Sequence, residues 1–86
     1  KFLHTDLEKI LKDKGITTVI TVGTSSNGAV LITASGAAFR GMNVVVPVDG
    51  MSAADPIAEY ATVLDFLTAP SVSTKTTLTR SDMIKF

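Results

Sequence analysis

The turn that follows the first apolar run of the chain carries the residues best placed to do chemistry. It consists of Gly23-Thr24-Ser25-Ser26-Asn27-Gly28-Ala29-Val30, and we call residues 23–30 the elbow. The preceding residues 17–22 are β-branched and apolar apart from threonines, which is typical of a buried parallel strand. The Ala-rich residues 28–41 predict a helix with Leu31, Ile32, Ala38 and Phe39 available to face a sheet. Backbone N–H groups at the start of such a helix can stabilise a developing oxyanion.

The elbow departs from the common nucleophile and phosphate-binding motifs. Asn27 stands where a G-x-S-x-G turn needs its second glycine, and the single histidine, His4, precedes the first helix, so a serine-hydrolase triad is disfavoured. Gly23 and Gly28 have P-loop spacing, but Ala29-Val30 replaces the required Lys-Ser/Thr. With one histidine, no cysteine and scattered acids, we expect neither a metal site nor a cofactor.

Helix and strand signals alternate around the elbow. Thr5-Asp6-Leu7-Glu8 predicts a capping box for a first helix with an apolar stripe of Leu3, Leu7, Ile10 and Leu11. Asp55-Pro56 predicts the N-cap and first residue of a later helix. The apolar residues at helical spacing that follow are Ile57, Tyr60, Ala61, Leu64 and Leu67.

Three segments are predicted to form neighbouring strands of one largely parallel sheet, namely residues 18–22, 44–47 and 76–78. Pairing should weaken at Pro47, which cannot donate a ladder hydrogen bond. The αβαβαβ order predicts right-handed crossovers with helices on the faces of the sheet. The expected fold class is therefore α/β, a three-layer sandwich with a mainly parallel, Rossmann-like sheet.

Composition limits the partners and the location that we expect. Eight basic and eight acidic side chains give a formal net charge of zero, so no nucleic acid or anionic membrane is expected as a partner. No apolar run reaches transmembrane length, and the first residues lack the apolar centre of a signal peptide, which favours the cytoplasm. A chain of 86 residues is short for covering both faces of a parallel sheet.

The chain resembles the C-terminal half of the isochorismatase-like cysteine hydrolases. The resemblance is carried by the G-T-x-x-N-x-x-V turn, an Ala-rich helix that ends in Arg40-Gly41, and the VVVPVDG segment, and it extends from Phe2 to about Phe86. It implies that residues 1–86 are the C-terminal half of a single hydrolase domain. The missing N-terminal half would then be a partner and would carry the family's general-base Asp and its Lys.

The resemblance also implies roles for individual residues of the elbow. The family's nucleophilic cysteine directly precedes the valine, and that position is Ala29 here. The oxyanion hole maps onto the amides of Ser25 and Ala29, and an unusual cis peptide maps onto Thr24–Ser25. We expect Asn27 and Asp49 to border the pocket, although Asp49 is also explained as a cap of the turn at Gly50.

Two functions are compatible with this resemblance and with alanine at the nucleophile position. One is a family hydrolase for an amide, carbamoyl or enol-ether type small molecule that is inactive as it stands, because a methyl group cannot attack a carbonyl. The alternative is a naturally Cys-less, non-catalytic relative that binds a small molecule or serves a structural role in assembly. In both cases we expect a homo-oligomer.

Overall fold

The computed structural model describes residues 2–85. The helices are α1 (Leu7–Asp13), α2 (Leu31–Phe39) and α3 (Pro56–Thr68). The strands are β1 (Thr18–Ile20), β2 (Gly23–Thr24), β3 (Asn43–Pro47), β4 (Met51–Ser52) and β5 (Thr76–Thr79). A π-helical turn spans Ser26–Val30, and short 3-10 turns span Val48–Gly50 and Ser81–Met83. Among the described residues, no helix is both long and apolar enough to cross a membrane.

The main sheet has three parallel strands in the order β1-β3-β5. Its register pairs Val19 with Val44 and Val44 with Thr76. A second sheet pairs β2 with β4, also in parallel. The predicted α/β class with a mainly parallel sheet is thus confirmed, and so is the prediction that the three segments are neighbouring strands.

The predicted end of the first strand at Val22 is wrong. β1 ends at Ile20, although Thr21 N–H still donates to Val45 O at 3.1 Å. Gly23, at a φ of +121°, then turns the backbone toward Met51, and the chain pairs with β4 instead of continuing the ladder. This change of direction brings the elbow out over the carboxyl end of the main sheet.

The core lies between one face of the main sheet and the helices. Val44 and Val46 are buried there and share one apolar cluster with Ala37 of α2 and Phe66 of α3. The register places Ile20, Val45 and Thr77 on the opposite face, because neighbouring residues of a strand point to opposite sides. Of these, Ile20 and Thr77 are exposed, so this face of the sheet remains partly open in residues 2–85.

The helix that follows the elbow faces the sheet with small residues. Ala34, Ala37 and Ala38 are buried, whereas Ile32 and Phe39, two of the residues predicted to be available for the sheet, are exposed. Because small alanine side chains face the strands, the helix axis can lie close to the sheet. The larger side chains of this helix point away from the sheet. Of the predicted set, only Ala38 is buried, and Leu31 is partly buried.

The start of α1 differs from the prediction. The N-cap residue is Asp6, and its side chain makes no capping hydrogen bond. The Glu8 carboxylate binds Lys12 at 2.8 Å and Arg40 at 3.2 Å, so it does not reach back as a capping box requires. Within the predicted apolar stripe, Leu3 and Ile10 are exposed.

The start of α3 agrees with the prediction. Asp55 Oδ1 accepts a hydrogen bond from Ala58 N–H at 2.9 Å, and Pro56 follows as the first helical residue. The side that faces the core, however, carries Thr62 and Phe66. The predicted apolar spacing therefore lies on the outer side of this helix.

Candidate functional site

The elbow is a compact turn between β2 and α2. The Thr24–Ser25 peptide bond is cis, and Ser25 has an extended backbone. The N–H groups of Gly28 and Val30 both donate to Ser25 O at 3.1 Å, which closes the π-helical turn. Wider helical turns of this kind occur frequently at functional sites. The carbonyl oxygen of Ser25 therefore holds the elbow together by accepting both of these hydrogen bonds.

A cavity of about 330 Å³ lies beside the elbow. It is lined by Ile20, Thr21, Val22, Thr24, Ala29, Val30 and Thr33. Ala29 is exposed, so the position matched to the family nucleophile contributes a methyl group to the cavity wall. The structure thus brings Ala29 and Thr24, two of the predicted site residues, to the same cavity.

The other elbow side chains form a local hydrogen bond. Ser25 Oγ donates to Asn27 Oδ1 at 2.8 Å, and Asn27 is exposed. Neither residue lines the cavity. The Ser25 hydroxyl is therefore engaged within the turn and is not presented to the cavity as a replacement nucleophile.

Asp49 lies apart from the cavity and binds the C-terminal part of the chain. Its carboxylate accepts hydrogen bonds from Ser81 N–H at 2.8 Å and from Ser81 Oγ at 2.5 Å. These bonds to Ser81 hold the pKa of Asp49 below its ordinary value. Asp49 therefore caps the turn at Ser81 rather than the turn at Gly50. The sequence pattern gave no indication of this pairing, because the two residues are 32 positions apart.

Two threonines of the cavity wall, Thr21 and Thr33, were not among the predicted site residues. Thr21 is buried, and its Oγ1 has no hydrogen-bond partner in the described part of the chain; the same holds for Ser26 Oγ. Threonine is common in strands, so its presence in an apolar run gave no signal of a site. Residues 2–85 contain no cluster of three or more His, Cys, Asp or Glu side chains that could hold a metal ion.

The family model of the isochorismatase domain matches residues 1–78. No curated protein matches the chain. Among solved structures, the chain is similar to an isochorismatase-like hydrolase from Alkaliphilus metalliredigens, with 30% identity and a TM-score of 0.81, over 94% of this chain and 41% of that protein.

Two further solved structures are similar to the chain. An N-carbamoylsarcosine amidase from Thermoplasma acidophilum shares 31% identity at a TM-score of 0.75, over 99% of this chain and 45% of that protein. A nicotinamidase from Staphylococcus aureus shares 26% identity at a TM-score of 0.75, over 79% of this chain and 44% of that protein. The chain thus spans less than half the length of each of these proteins. Since the family model covers nearly all of it, the chain belongs to the isochorismatase family.

Proposed function

We propose that this chain is the C-terminal half of an isochorismatase-like hydrolase domain whose nucleophile position is silenced by alanine. The proposal is supported above all by one observation. Ala29, which precedes Val30 as the family's cysteine precedes its valine, lies in the wall of a cavity beside the elbow. The site keeps a turn and a cavity, while the group that would form a covalent intermediate is absent.

The chemistry of this position accounts for the proposed loss of hydrolysis. A cysteine thiolate would attack the substrate carbonyl carbon, and the carbonyl electron pair would move onto the oxygen. The amide of Ala29, which lines the cavity, is proposed to donate to that oxygen together with the amide of Ser25, which directly follows the lining residue Thr24. A methyl group has no electron pair to give, and loss of a covalent nucleophile removes several orders of magnitude in rate even where an oxyanion hole remains.

The proposed substrate class is a small molecule with an amide or carbamoyl carbonyl, because an enol-ether has no carbonyl carbon for a thiolate to attack, and the loss of the cysteine would not by itself stop its hydrolysis. Two structural neighbours are named a nicotinamidase and an N-carbamoylsarcosine amidase, and we extend this class to the present chain as part of the proposal. A cavity of about 330 Å³ is at the lower end of the range of small-molecule sites, and its lining combines aliphatic groups with threonines.

An N-terminal half is proposed to complete this domain. β1 lies at one end of the strand order, so its outer edge can pair with a further strand. Ile20 and Val22, which lie at and just beyond the end of β1, are exposed, as expected for residues that a further segment covers. We expect residues 1–86 alone to aggregate or to recruit a complementary segment. A monodisperse, cooperatively unfolding 86-residue monomer in sedimentation and thermal melts would contradict this.

The function is tested by Ala29→Cys in the full-length protein, assayed for release of ammonia from nicotinamide and from an N-carbamoyl amino acid. We expect hydrolysis by Ala29→Cys at least about 100-fold above the parent, since a nucleophile is restored to an existing site. Ala54→Cys, which adds the same thiol at another exposed alanine, should remain at the parent level. If Ala29→Cys binds these amides without hydrolysing them, the protein is instead a Cys-less binding relative. If it neither binds nor hydrolyses them, the proposed site is wrong.

A further inference from the structure

Asn27 and Gly28 form the only Asn-Gly pair of the chain, and the pair lies inside the elbow. Asparagine is a labile residue when its side-chain carbonyl carbon comes within reach of the backbone nitrogen of the next residue. A glycine in that next position removes the Cβ that would hinder the approach, and it leaves the backbone free to rotate. The pair therefore has a chemistry of its own, separate from that of position 29.

The elbow ties both residues of the pair to Ser25. Asn27 is exposed, and its Oδ1 accepts a hydrogen bond from Ser25 Oγ at 2.8 Å. That hydrogen bond draws electron density away from the side-chain carbonyl, which makes its carbon a better target for a nucleophile. Gly28 N–H donates to Ser25 O at 3.1 Å. The electrophile and the nucleophile of the pair thus belong to one short, hydrogen-bonded turn.

We propose that Asn27 is a site of spontaneous deamidation. The Gly28 nitrogen loses its proton and attacks Asn27 Cγ, and the new C–N bond closes a cyclic succinimide. The side-chain nitrogen takes up a proton and leaves as ammonia. Water then opens the ring at either carbonyl, which gives aspartate or isoaspartate at position 27. All the reacting protein atoms belong to residues 27 and 28, so the reaction needs water but no cofactor and no partner.

The hydrogen bonds of the elbow set the rate of this reaction. Gly28 N–H is engaged with Ser25 O, so the peptide between residues 27 and 28 must rotate before its nitrogen can turn toward Asn27 Cγ. Val30 N–H donates to the same oxygen at 3.1 Å, which leaves one bond across the turn when the Gly28 bond is broken. We therefore expect slower deamidation in the folded protein than in the unfolded chain, where no opening is required.

Asn43 is a reference site within the same chain, which has no third asparagine and no glutamine. Asn43 is exposed like Asn27, but it precedes Val44, whose branched side chain crowds the backbone nitrogen. Val44 N–H also donates to Lys75 O at 2.8 Å, which fixes that nitrogen in the main sheet. Asn43 should therefore deamidate much more slowly than Asn27.

Either product changes the elbow. Isoaspartate carries the main chain through the former side-chain carbon and so lengthens it by one atom. The N–H groups of Gly28 and Val30 then cannot both reach Ser25 O as they do now. Aspartate keeps the length of the chain but adds a negative charge. Within the proposed function, that charge lies close to the amides that would hold an oxyanion and opposes its formation.

Storage of the full-length protein at mildly alkaline pH tests the proposal, and the result does not depend on the chemistry at Ala29. Peptide mapping by mass spectrometry should show NH2 replaced by OH at Asn27 at least about tenfold faster than at Asn43. Labelling with an isoaspartyl methyltransferase should detect isoaspartate at position 27, which direct hydrolysis of the side chain does not produce. The rate at Asn27 should rise further in concentrated urea.

Gly28→Ala is the matched variant. The added Cβ lies 3.6 Å from Ser25 Cβ, an ordinary contact, and circular dichroism melts verify that the variant folds. It should deamidate at least about tenfold more slowly than the parent, because the Cβ hinders the attack on Asn27 Cγ. The same comparison in urea does not depend on folding. A folded parent in which Asn27 reacts no faster than Asn43 would overturn the proposal. So would equal rates for the parent and Gly28→Ala, or a product without isoaspartate.

Discussion

Asp49 and Ser81 are joined by two hydrogen bonds although they are 32 residues apart. The Asp49 carboxylate accepts from the backbone N–H of Ser81 at 2.8 Å and from its hydroxyl at 2.5 Å. Asp49 lies in the turn directly after β3, and Ser81 follows β5. The pair therefore fixes the loops at the carboxyl ends of two neighbouring strands to each other.

This pair predicts a pH dependence of stability. Because the hydrogen bonds from Ser81 lower the pKa of Asp49, its contribution is present above the unfolded value of about 3.9 and is lost as the pH falls through the lower folded value. Asp49→Asn should therefore lower the melting temperature at neutral pH, and its difference from the parent should shrink in acid. Asp82→Asn, on the neighbouring turn, is the control. An Asp49→Asn difference that grows toward low pH would contradict this assignment.

The two N-cap aspartates are predicted to differ in their contribution to stability. Asp55→Ala removes the hydrogen bond to Ala58 N–H and should lower the free energy of unfolding by about 1 kcal/mol. Asp6→Ala should change it by well under about 0.5 kcal/mol, because the Asp6 side chain makes no capping bond. Urea unfolding of both variants measures these two changes in the free energy of unfolding. Equal losses would mean that Asp6 caps α1 after all.

Two glycines of the elbow are predicted to respond differently to alanine. Gly23 has a φ of +121°, a conformation that a residue with a Cβ adopts only with strain, so Gly23→Ala should destabilise the protein by about 1–3 kcal/mol. A Cβ at Gly28 would lie 3.6 Å from Ser25 Cβ, an ordinary contact, so Gly28→Ala should be tolerated. Thermal denaturation of the two variants measures this difference in stability. A tolerated Gly23→Ala would show that the elbow backbone differs from the one described.

The burial of Val46 against the helices is tested by comparing two valines. Val46 is fully buried, and Val46→Ala should reduce the free energy of unfolding by about 2 kcal/mol through lost burial and the cavity left behind. Val48, just after the strand, is exposed, and Val48→Ala should cost well under about 1 kcal/mol. Chemical denaturation compares the two. A reversed order would contradict the burial of Val46 in the core.

The parallel sheet and the cap of α3 were predictable because they depend on local signals. β-branched runs predicted the strands, and Asp55-Pro56 predicted the helix start. The side of a helix that is buried depends on what packs against it. The stripe that includes Ile57 and Leu64 has the stronger apolar spacing, yet the sheet takes the side of Thr62 and Phe66. Long-range pairs such as Asp49 with Ser81 leave no local pattern, so sequence reasoning did not find them.

The nucleophile position itself provides the most direct test of the proposed silenced hydrolase. The rate of alkylation by iodoacetamide is measured against pH for Ala29→Cys and for Ala54→Cys in the full-length protein. Ala29 lies at the start of the helical stretch that continues into α2, where backbone N–H groups lower the pKa of a thiol. The account predicts that Ala29→Cys reacts at least about tenfold faster near neutral pH, with a pKa below the ordinary value of about 8.5. A thiol at position 29 that reacts no faster than the one at position 54 would contradict it.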